Sequence, residues 1–211
     1  MADLTLLYAL DLAGTAAFAF SGALRALDRR PDFVGMTILA GATALGGGIV
    51  RDAIFGQPAG MLRDVNYGLV IMASATIAFL FPWLLRQKES FFMYFDAVGL
   101  GVFSAIGATL AWNRGLDPIS LVFVASLTGA GGGMIRDVLL GRMPVVLYRE
   151  VYISAVVAGA MALAAARWGG LDEWAAFIIG MCITMTIRVL AIARGWSLPR
   201  VKTRKDKDNG Q

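Results

Sequence analysis

The sequence predicts an all-α polytopic membrane protein with seven transmembrane helices, arranged as two inverted three-helix repeats plus a seventh helix. The first observation is composition: 58% of the 211 residues are hydrophobic, the mean hydropathy is +0.68 and only 16% are charged, whereas soluble proteins have about 25% charged residues. The second is a short motif that occurs twice, 85 positions apart. The third is an uneven distribution of lysine and arginine between alternate loops.

Each helix is predicted from an apolar run of membrane length, and each boundary from a turn with proline, glycine or charged residues. In chain order the predicted helices are Leu4–Leu24, Phe33–Phe55, Tyr67–Leu85, Phe91–Trp112, Ile119–Leu140, Tyr148–Arg167 and Trp174–Ala193. Residues 1–193 thus form a single transmembrane domain, with repeat 1 at about 4–86, repeat 2 at about 91–167 and the seventh helix at about 174–193. Residues 194–211 are predicted to be a basic, disordered tail.

The repeated motif is three glycines followed, three residues later, by an arginine and an aspartate. Its two copies are Gly46, Gly47 and Gly48 with Arg51 and Asp52, and Gly131, Gly132 and Gly133 with Arg136 and Asp137. At the same offset, Asp11, Gly14, Phe18, Gly22, Thr43 and Gly56 match Asp96, Gly99, Phe103, Gly107, Thr128 and Gly141. Because each repeat contains three helices, an odd number, the two copies are predicted to cross the membrane in opposite directions, as in many transport proteins.

The basic residues predict the orientation of the chain. The loops after the first, third and fifth helices, together with the tail, carry 13 lysines and arginines, and the loops on the other side carry three. The positive-inside rule then places the N-terminus outside and the C-terminus in the cytoplasm. The N-terminus lacks a basic segment, so we expect no cleaved signal peptide.

The glycine triplets have two interpretations. They interrupt apolar helices, where three glycines cost about 3 kcal/mol relative to alanine. One interpretation is that the second and fifth helices bend or unwind there, freeing carbonyls and amides along a polar path. The other is that glycine only lets neighbouring helices approach closely. Repetition of the triplet, each time before a charge pair, favours the first.

The charges at membrane depth predict two ion pairs. An ionisable side chain there costs at least about 2.5–3.5 kcal/mol and is usually paired. With the predicted directions, Asp11 and Arg51 lie in the outer half of the membrane, and Asp96 and Arg136 in the inner half. We therefore predict Asp11–Arg51 and Asp96–Arg136 pairs, rather than a pair between Arg51 and Asp137.

Asp52 and Asp137 are expected on a different helix face from the adjacent arginines, where they either face the path or cap a loop. The predicted ion pairs either flank a pore and set its charge selectivity, or clamp each repeat structurally, and the sequence does not separate the two. Arg188, in the seventh helix, is expected to extend towards the membrane surface. Tyr67 is expected to be one of several aromatic anchors at the membrane interface.

Several function classes are excluded by composition. The chain has no histidine and a single cysteine, Cys182, which removes histidine-based metal sites, serine–histidine catalysis and any intrachain disulfide. We predict no catalytic residues, no metal site and no cofactor, and therefore no enzymatic activity. The basic residues lie at helix ends and in the tail, a pattern of membrane topology, so we expect contact with membrane lipids and no nucleic-acid partner.

The doubled Gly-Gly-Gly-x-x-Arg-Asp motif in seven helices resembles the prokaryotic members of the trimeric intracellular cation (TRIC) channel family. The resemblance covers about Tyr8 to Ala193. It implies a homotrimer in a bacterial or archaeal plasma (inner) membrane, with a pore in each subunit that passes the monovalent cations potassium and sodium. It also implies that the second and fifth helices are kinked at the glycines. Bacterial relatives of this kind are also described as candidate transporters of glycine or another small solute, which is the alternative function.

Overall fold

The fold was analysed in a computed structural model, which describes residues 2–59, 62, 64–82, 91–148 and 151–196. The described residues form an all-α structure with eight α-helices. They are α1 (Ala2–Ala26), α2 (Phe33–Ile54), α3 (Val65–Leu80), α4 (Phe91–Asn113), α5 (Pro118–Leu139), α6 (Val145–Tyr148), α7 (Ile153–Trp168) and α8 (Glu173–Arg194). A short 3-10 turn, Leu27–Arg29, follows α1.

Five of these helices are long and apolar enough to cross a membrane: α2, α4, α5, α8 and the segment Leu6–Arg29 that contains α1. The helices α3 and α7 are apolar but have only 16 residues each, about 24 Å at the helical rise, which is shorter than a typical hydrocarbon core. The chain is therefore a multi-pass membrane protein.

The predicted helices agree with the observed ones to within a few residues, with one exception. The predicted helix Tyr148–Arg167 corresponds to α7, which begins five residues later at Ile153, and the four-residue α6 lies almost wholly before the predicted start. The extra turn begins after Pro144, whose carbonyl accepts a hydrogen bond from the amide of Leu147. The predicted end of the third helix and the predicted tail lie mostly outside the described residues.

The ends of the two motif-bearing helices are built alike. Asp32 caps the start of α2, where its carboxylate accepts a hydrogen bond from the amide of Gly35, and Asp117 caps α5 in the same way. Each helix ends before a glycine with a left-handed backbone, Gly56 at φ 63° and Gly141 at φ 65°, a conformation that favours glycine at helix C-termini. Local signals that match at the repeat offset therefore set the same helix boundaries twice.

The centre of the molecule is built from two antiparallel helix pairs, α1 with α4 and α2 with α5. Along the first pair, Gly14 lies against Val102, while Ser21, further along α1, lies against Asp96. The rings of Phe18 and Phe103, which occupy matching repeat positions, stack with their centroids 5.4 Å apart. α3 packs on α1 and α2, and α7 packs on α4 and α5. α8 covers α4 and α7.

Candidate functional site

The two glycine triplets meet each other at the crossing of α2 and α5. A Cβ atom added to Gly47 would lie 2.1 Å from the carbonyl oxygen of Thr128, and one added to Gly132 would lie 1.9 Å from that of Thr43. Both distances are far below a possible carbon–oxygen contact, so only glycine fits at either position. The contacts are reciprocal, since each triplet lies against the threonine that precedes the other.

Both helices pass through the triplets without a break in their α-helical structure. The helices are therefore not unwound at the glycines in this conformation, and the alternative interpretation, close helix approach, describes the contacts, while a bend at the glycines stays a prediction. The physical reason is that glycine keeps its backbone hydrogen bonds and loses only the side chain that would separate the helices. The hydroxyls of Thr43 and Thr128 each donate to the carbonyl four residues earlier, at 2.6 and 2.7 Å.

Beyond the crossing lies a cluster built around Arg136, which we call the second cluster: Ser21, Asp96, Arg136, Asp137 and Tyr152. The Arg136 guanidinium donates to Asp96 at 2.6 Å, to Ser21 at 2.7 Å and to Asp137 at 2.9 Å. Arg136 is only 1% exposed. The predicted Asp96–Arg136 pair is confirmed in geometry, and its burial makes the cost of losing either partner high.

Asp137 has a second contact that explains its position. One carboxylate oxygen accepts from Arg136, and the other accepts from the backbone amide of Val145 at 2.9 Å, at the start of α6. The expectation that Asp137 caps a loop is confirmed. Consecutive helix residues point about 100° apart, and the flexible Arg136 side chain bends round to reach Asp137, so this contact does not contradict the expected difference in helix face.

The matching residues of the first repeat form a looser arrangement, which we call the first cluster: Asp11, Arg51, Asp52 and Tyr67. Two nitrogens of the Arg51 guanidinium contact one oxygen of Asp52, at 2.7 and 2.8 Å, so this arginine also bends round to its neighbour. Asp11 accepts a hydrogen bond from the Tyr67 hydroxyl at 2.6 Å. Its other oxygen, Oδ1, is buried without a hydrogen-bond partner.

The predicted Asp11–Arg51 ion pair is therefore wrong for this conformation. Asp11 is hydrogen-bonded to Tyr67 instead of its predicted partner Arg51, and Arg51 pairs with Asp52. Tyr67 is buried, so the prediction that it anchors the membrane interface is also wrong. Its ring lies edge-on to that of Tyr8, whose hydroxyl donates to Asp64.

Arg188 is buried as well, rather than extended towards the membrane surface. Its guanidinium lies 4.6 Å from the ring centroid of Tyr152 and donates to the carbonyl of Val151. This places a second positive charge beside the second cluster. Of the two arginines, Arg136 pairs with both Asp96 and Asp137, which lowers the cost of burying these charges.

Three residues of the two clusters were missed by sequence reasoning: Ser21, Tyr67 and Tyr152. Tyr67 and Tyr152 are separated by the repeat offset of 85 positions, and this match would have identified both. Ser21 matches Ile106 instead, so no repeat signal marks it. Sequence matching therefore finds the tyrosines and misses the serine.

The two clusters lie at opposite ends of the central helix pair. Ser21, which belongs to the second cluster, lies ten residues after Asp11 on α1, about 15 Å along the helix axis. The glycine crossing is formed by the same helices that carry the arginines. Beside it, a cavity of about 340 Å³ is lined by apolar residues such as Leu45, Ile49 and Ile135, and these side chains provide no ligand for an ion.

Comparison with known proteins places this arrangement in a family. The family model described as "Glycine transporter" matches residues 8–83 and 93–168, one match in each repeat. The inner membrane protein YadS of Escherichia coli K12, a UPF0126 protein, is 36% identical over 197 residues, covering 92% of this chain and 95% of YadS.

Solved structures of TRIC channels have the same fold. A chain from a study of conductance through TRIC cation channels superposes with a TM-score of 0.85 at 34% identity, covering 92% of this chain and 97% of that one. The TRIC orthologue from Rhodobacter sphaeroides has a TM-score of 0.85 at 32% identity, covering 91% of this chain and all of that one. With family matches in both repeats and similarity over nearly its whole length, the chain belongs to the prokaryotic TRIC channel family.

Proposed function

We propose that this chain is a monovalent-cation channel that passes potassium and sodium, with a pore in each subunit of a homotrimer. The observation that carries the proposal is its likeness, over more than nine-tenths of the chain, to structures of TRIC cation channels. A multi-pass fold with buried charges on its central helices supports the same function, since such charges usually mark an ion or substrate path.

The first cluster supports a preference for cations. The Asp11 carboxylate lies within the first membrane segment and is hydrogen-bonded to a neutral phenol, with one oxygen buried and unpartnered. Such an oxygen gains most from an approaching cation, because no arginine contact satisfies it. An anion at the same place would be repelled by the Asp11 carboxylate.

The proposed path runs between the two clusters and past the glycine crossing, with α2 and α5 lining it. Gly46, Gly47, Gly48, Gly131, Gly132 and Gly133 form its narrowest part, and Asp11, Arg51, Asp52, Asp96, Arg136 and Asp137 flank its ends. In the conformation described, α2 and α5 touch at the triplets. Conduction therefore requires the two helices to separate or bend there, which glycine permits at lower cost than other residues.

The antiparallel contacts of α1 with α4 and of α2 with α5 support the proposed inversion of the two three-helix repeats. The seventh transmembrane helix of this arrangement is α8. We propose an outside N-terminus and a cytoplasmic C-terminus, on the lysine and arginine distribution, in a bacterial or archaeal inner membrane. The first cluster then lies towards the outside and the second towards the cytoplasm.

Transport of glycine or another small solute is the second candidate, favoured by the family description that matches both repeats. A channel and a transporter are distinguished with purified protein. In a planar bilayer with potassium chloride we expect unitary currents. Saturable counterflow of radiolabelled glycine into liposomes, with no unitary currents, would reverse the assignment.

The role of the charges is tested by Asp11→Asn, which keeps the size of the side chain and its contact with Tyr67 while removing the charge. We expect a lower unitary potassium conductance and a changed voltage dependence. Asp32→Asn, at the exposed cap of α2, is the matched control. Conductance and voltage dependence that are the same in wild type and Asp11→Asn would leave Asp11 with a structural role only.

A further inference from the structure

Matching residues of the two repeats are paired differently, and the difference lies in the arginine side chains. In both copies the Nε of the arginine donates to the next residue, Arg51 to Asp52 at 2.8 Å and Arg136 to Asp137 at 2.9 Å. The second copy also uses Nη1, which reaches Asp96 at 2.6 Å, whereas the first copy uses Nη2, which contacts Asp52 again at 2.7 Å.

The carboxylates that match across the repeats show the complementary difference. Asp96 is bound by Arg136, and the hydroxyl of Tyr152 lies close to it, since both atoms are within 3.4 Å of a Cβ placed on Gly133. Asp11 is bound by Tyr67, the residue that matches Tyr152, and no arginine among the described residues contacts it. Each cluster thus has an aspartate from the first helix of its repeat, a tyrosine and an arginine. Among the described residues, only the arginine of the second cluster contacts that aspartate.

Arg51 lies near Asp11, so a small movement would reproduce the arginine–aspartate pair of the second cluster. It lies close enough to Asp11 to act on its charge, and its side chain is only partly buried. Because the Nε bond to the next aspartate is common to both arrangements and the guanidinium is planar and rigid, Arg51 reproduces the second arrangement when its Nη1 edge meets Asp11. An arginine–carboxylate hydrogen bond is stronger than one from a neutral phenol, so the phenol must hold Asp11 in a position that Arg51 does not reach.

We propose that Tyr67 is a positioning residue. Its hydroxyl keeps Asp11 away from Arg51, so that the Asp11–Arg51 ion pair does not form and does not close the first-repeat end of the path. In a second conformation Arg51 pairs with Asp11, as Arg136 pairs with Asp96 in the present one. The consequence for conduction rests on the proposed channel function, whereas the competition between Tyr67 and Arg51 for Asp11 does not.

The competition is tested by a double-mutant cycle that needs no transport assay. Asp11→Asn and Arg51→Gln are made singly and together, first in the wild-type background and then in Tyr67→Phe, which removes only the hydroxyl. In the wild-type background we expect the two shifts in Tm to be close to additive, because the residues are near each other but not in contact. In the Tyr67→Phe background we expect them to depart from additivity by several degrees, because the pair has formed.

Tyr152→Phe is the matched control, since it removes the equivalent hydroxyl beside an ion pair that is already made. The shifts of Asp11→Asn and Arg51→Gln must still add in that background. Additive shifts in all three backgrounds, or equal coupling in all three, would overturn the proposal.

Single-channel recording supplies the second measurement. We expect Tyr67→Phe to lower the open probability at least several-fold with unitary conductance unchanged, and a further Arg51→Gln change to restore the open probability. If Tyr67→Phe does not fold, Arg51→Gln alone tests the proposal. We expect this variant to have a raised open probability, and an unchanged open probability would contradict the proposal. Absence of any current from the wild type would reject the channel function, and the cycle would still decide the role of Tyr67.

Discussion

Arg136 makes three polar contacts in a place that water hardly reaches, and each contact comes from a different part of the chain. Ser21 comes from α1, Asp96 from α4 and Asp137 from α5 itself. A buried arginine held this way connects the two repeats and fixes the end of α5. Arg51, at the matching position, is more exposed, and within the described part of the chain its ion pair is with its neighbour Asp52.

This contrast predicts different costs for the same substitution. Arg136→Gln leaves Asp96 and Asp137 buried without their cation, so we expect the free energy of unfolding to fall by about 3–5 kcal/mol. Arg51→Gln is expected to cost less than half of that. Thermal unfolding of both variants in the same detergent measures the difference, and equal losses would contradict it.

At this scale the sequence predicts two ion pairs, Asp11–Arg51 and Asp96–Arg136, and the structure confirms the second. Depth in the membrane was sufficient to pair Asp96 with Arg136, because both side chains are enclosed and no other cation is nearer. Depth was insufficient for Asp11, where a tyrosine hydroxyl and an arginine are both within reach. The choice between them depends on side-chain rotation, which residue spacing does not encode.

The helices are the scale at which the sequence is most informative. Apolar runs with capping aspartates and terminal glycines identify α2 and α5 to within a residue, because these signals act locally. The glycine triplets illustrate the limit. Their sequence is compatible with a broken helix and with a close crossing, and only the partner helix, brought there by the fold, distinguishes the two.

The crossing of α2 and α5 predicts a strong effect of a single methyl group. Gly132→Ala would place its Cβ 1.9 Å from the carbonyl oxygen of Thr43, so the two helices must move apart. We expect a loss of at least about 3 kcal/mol in the free energy of unfolding. Gly68→Ala, in α3, meets nothing within 4 Å and is expected to gain about 0.5–1 kcal/mol. A similar effect of the two changes on the melting temperature would argue against the close crossing.

The capping of α5 predicts a pH dependence. Hydrogen bonds from the Ser120 hydroxyl and from backbone amides lower the pKa of Asp117 below its usual value. Because the folded pKa is lower than the unfolded one, ionised Asp117 stabilises the fold at neutral pH, and this stabilisation disappears as the pH falls through the folded pKa. Asp117→Ala should therefore lower the Tm at pH 7 and make little difference in strong acid. A difference in Tm that is constant with pH would contradict this.

At the scale of the whole molecule, assembly is not encoded in any periodic feature of the chain. Relatives of the same fold are described as trimeric intracellular cation channels, and we propose the same assembly here. Light scattering in detergent, corrected for bound detergent, should give three times the chain mass of 22.5 kDa. A mass of one or two chains, stable on dilution, would contradict it.

Cation selectivity is the property that distinguishes the proposed channel most directly from the alternatives. Its measurement is the reversal potential of the purified protein in a planar bilayer with a tenfold potassium chloride gradient. A cation channel whose path passes the Asp11 carboxylate predicts a reversal potential close to the potassium equilibrium potential. A value near zero, or one on the chloride side, would contradict it.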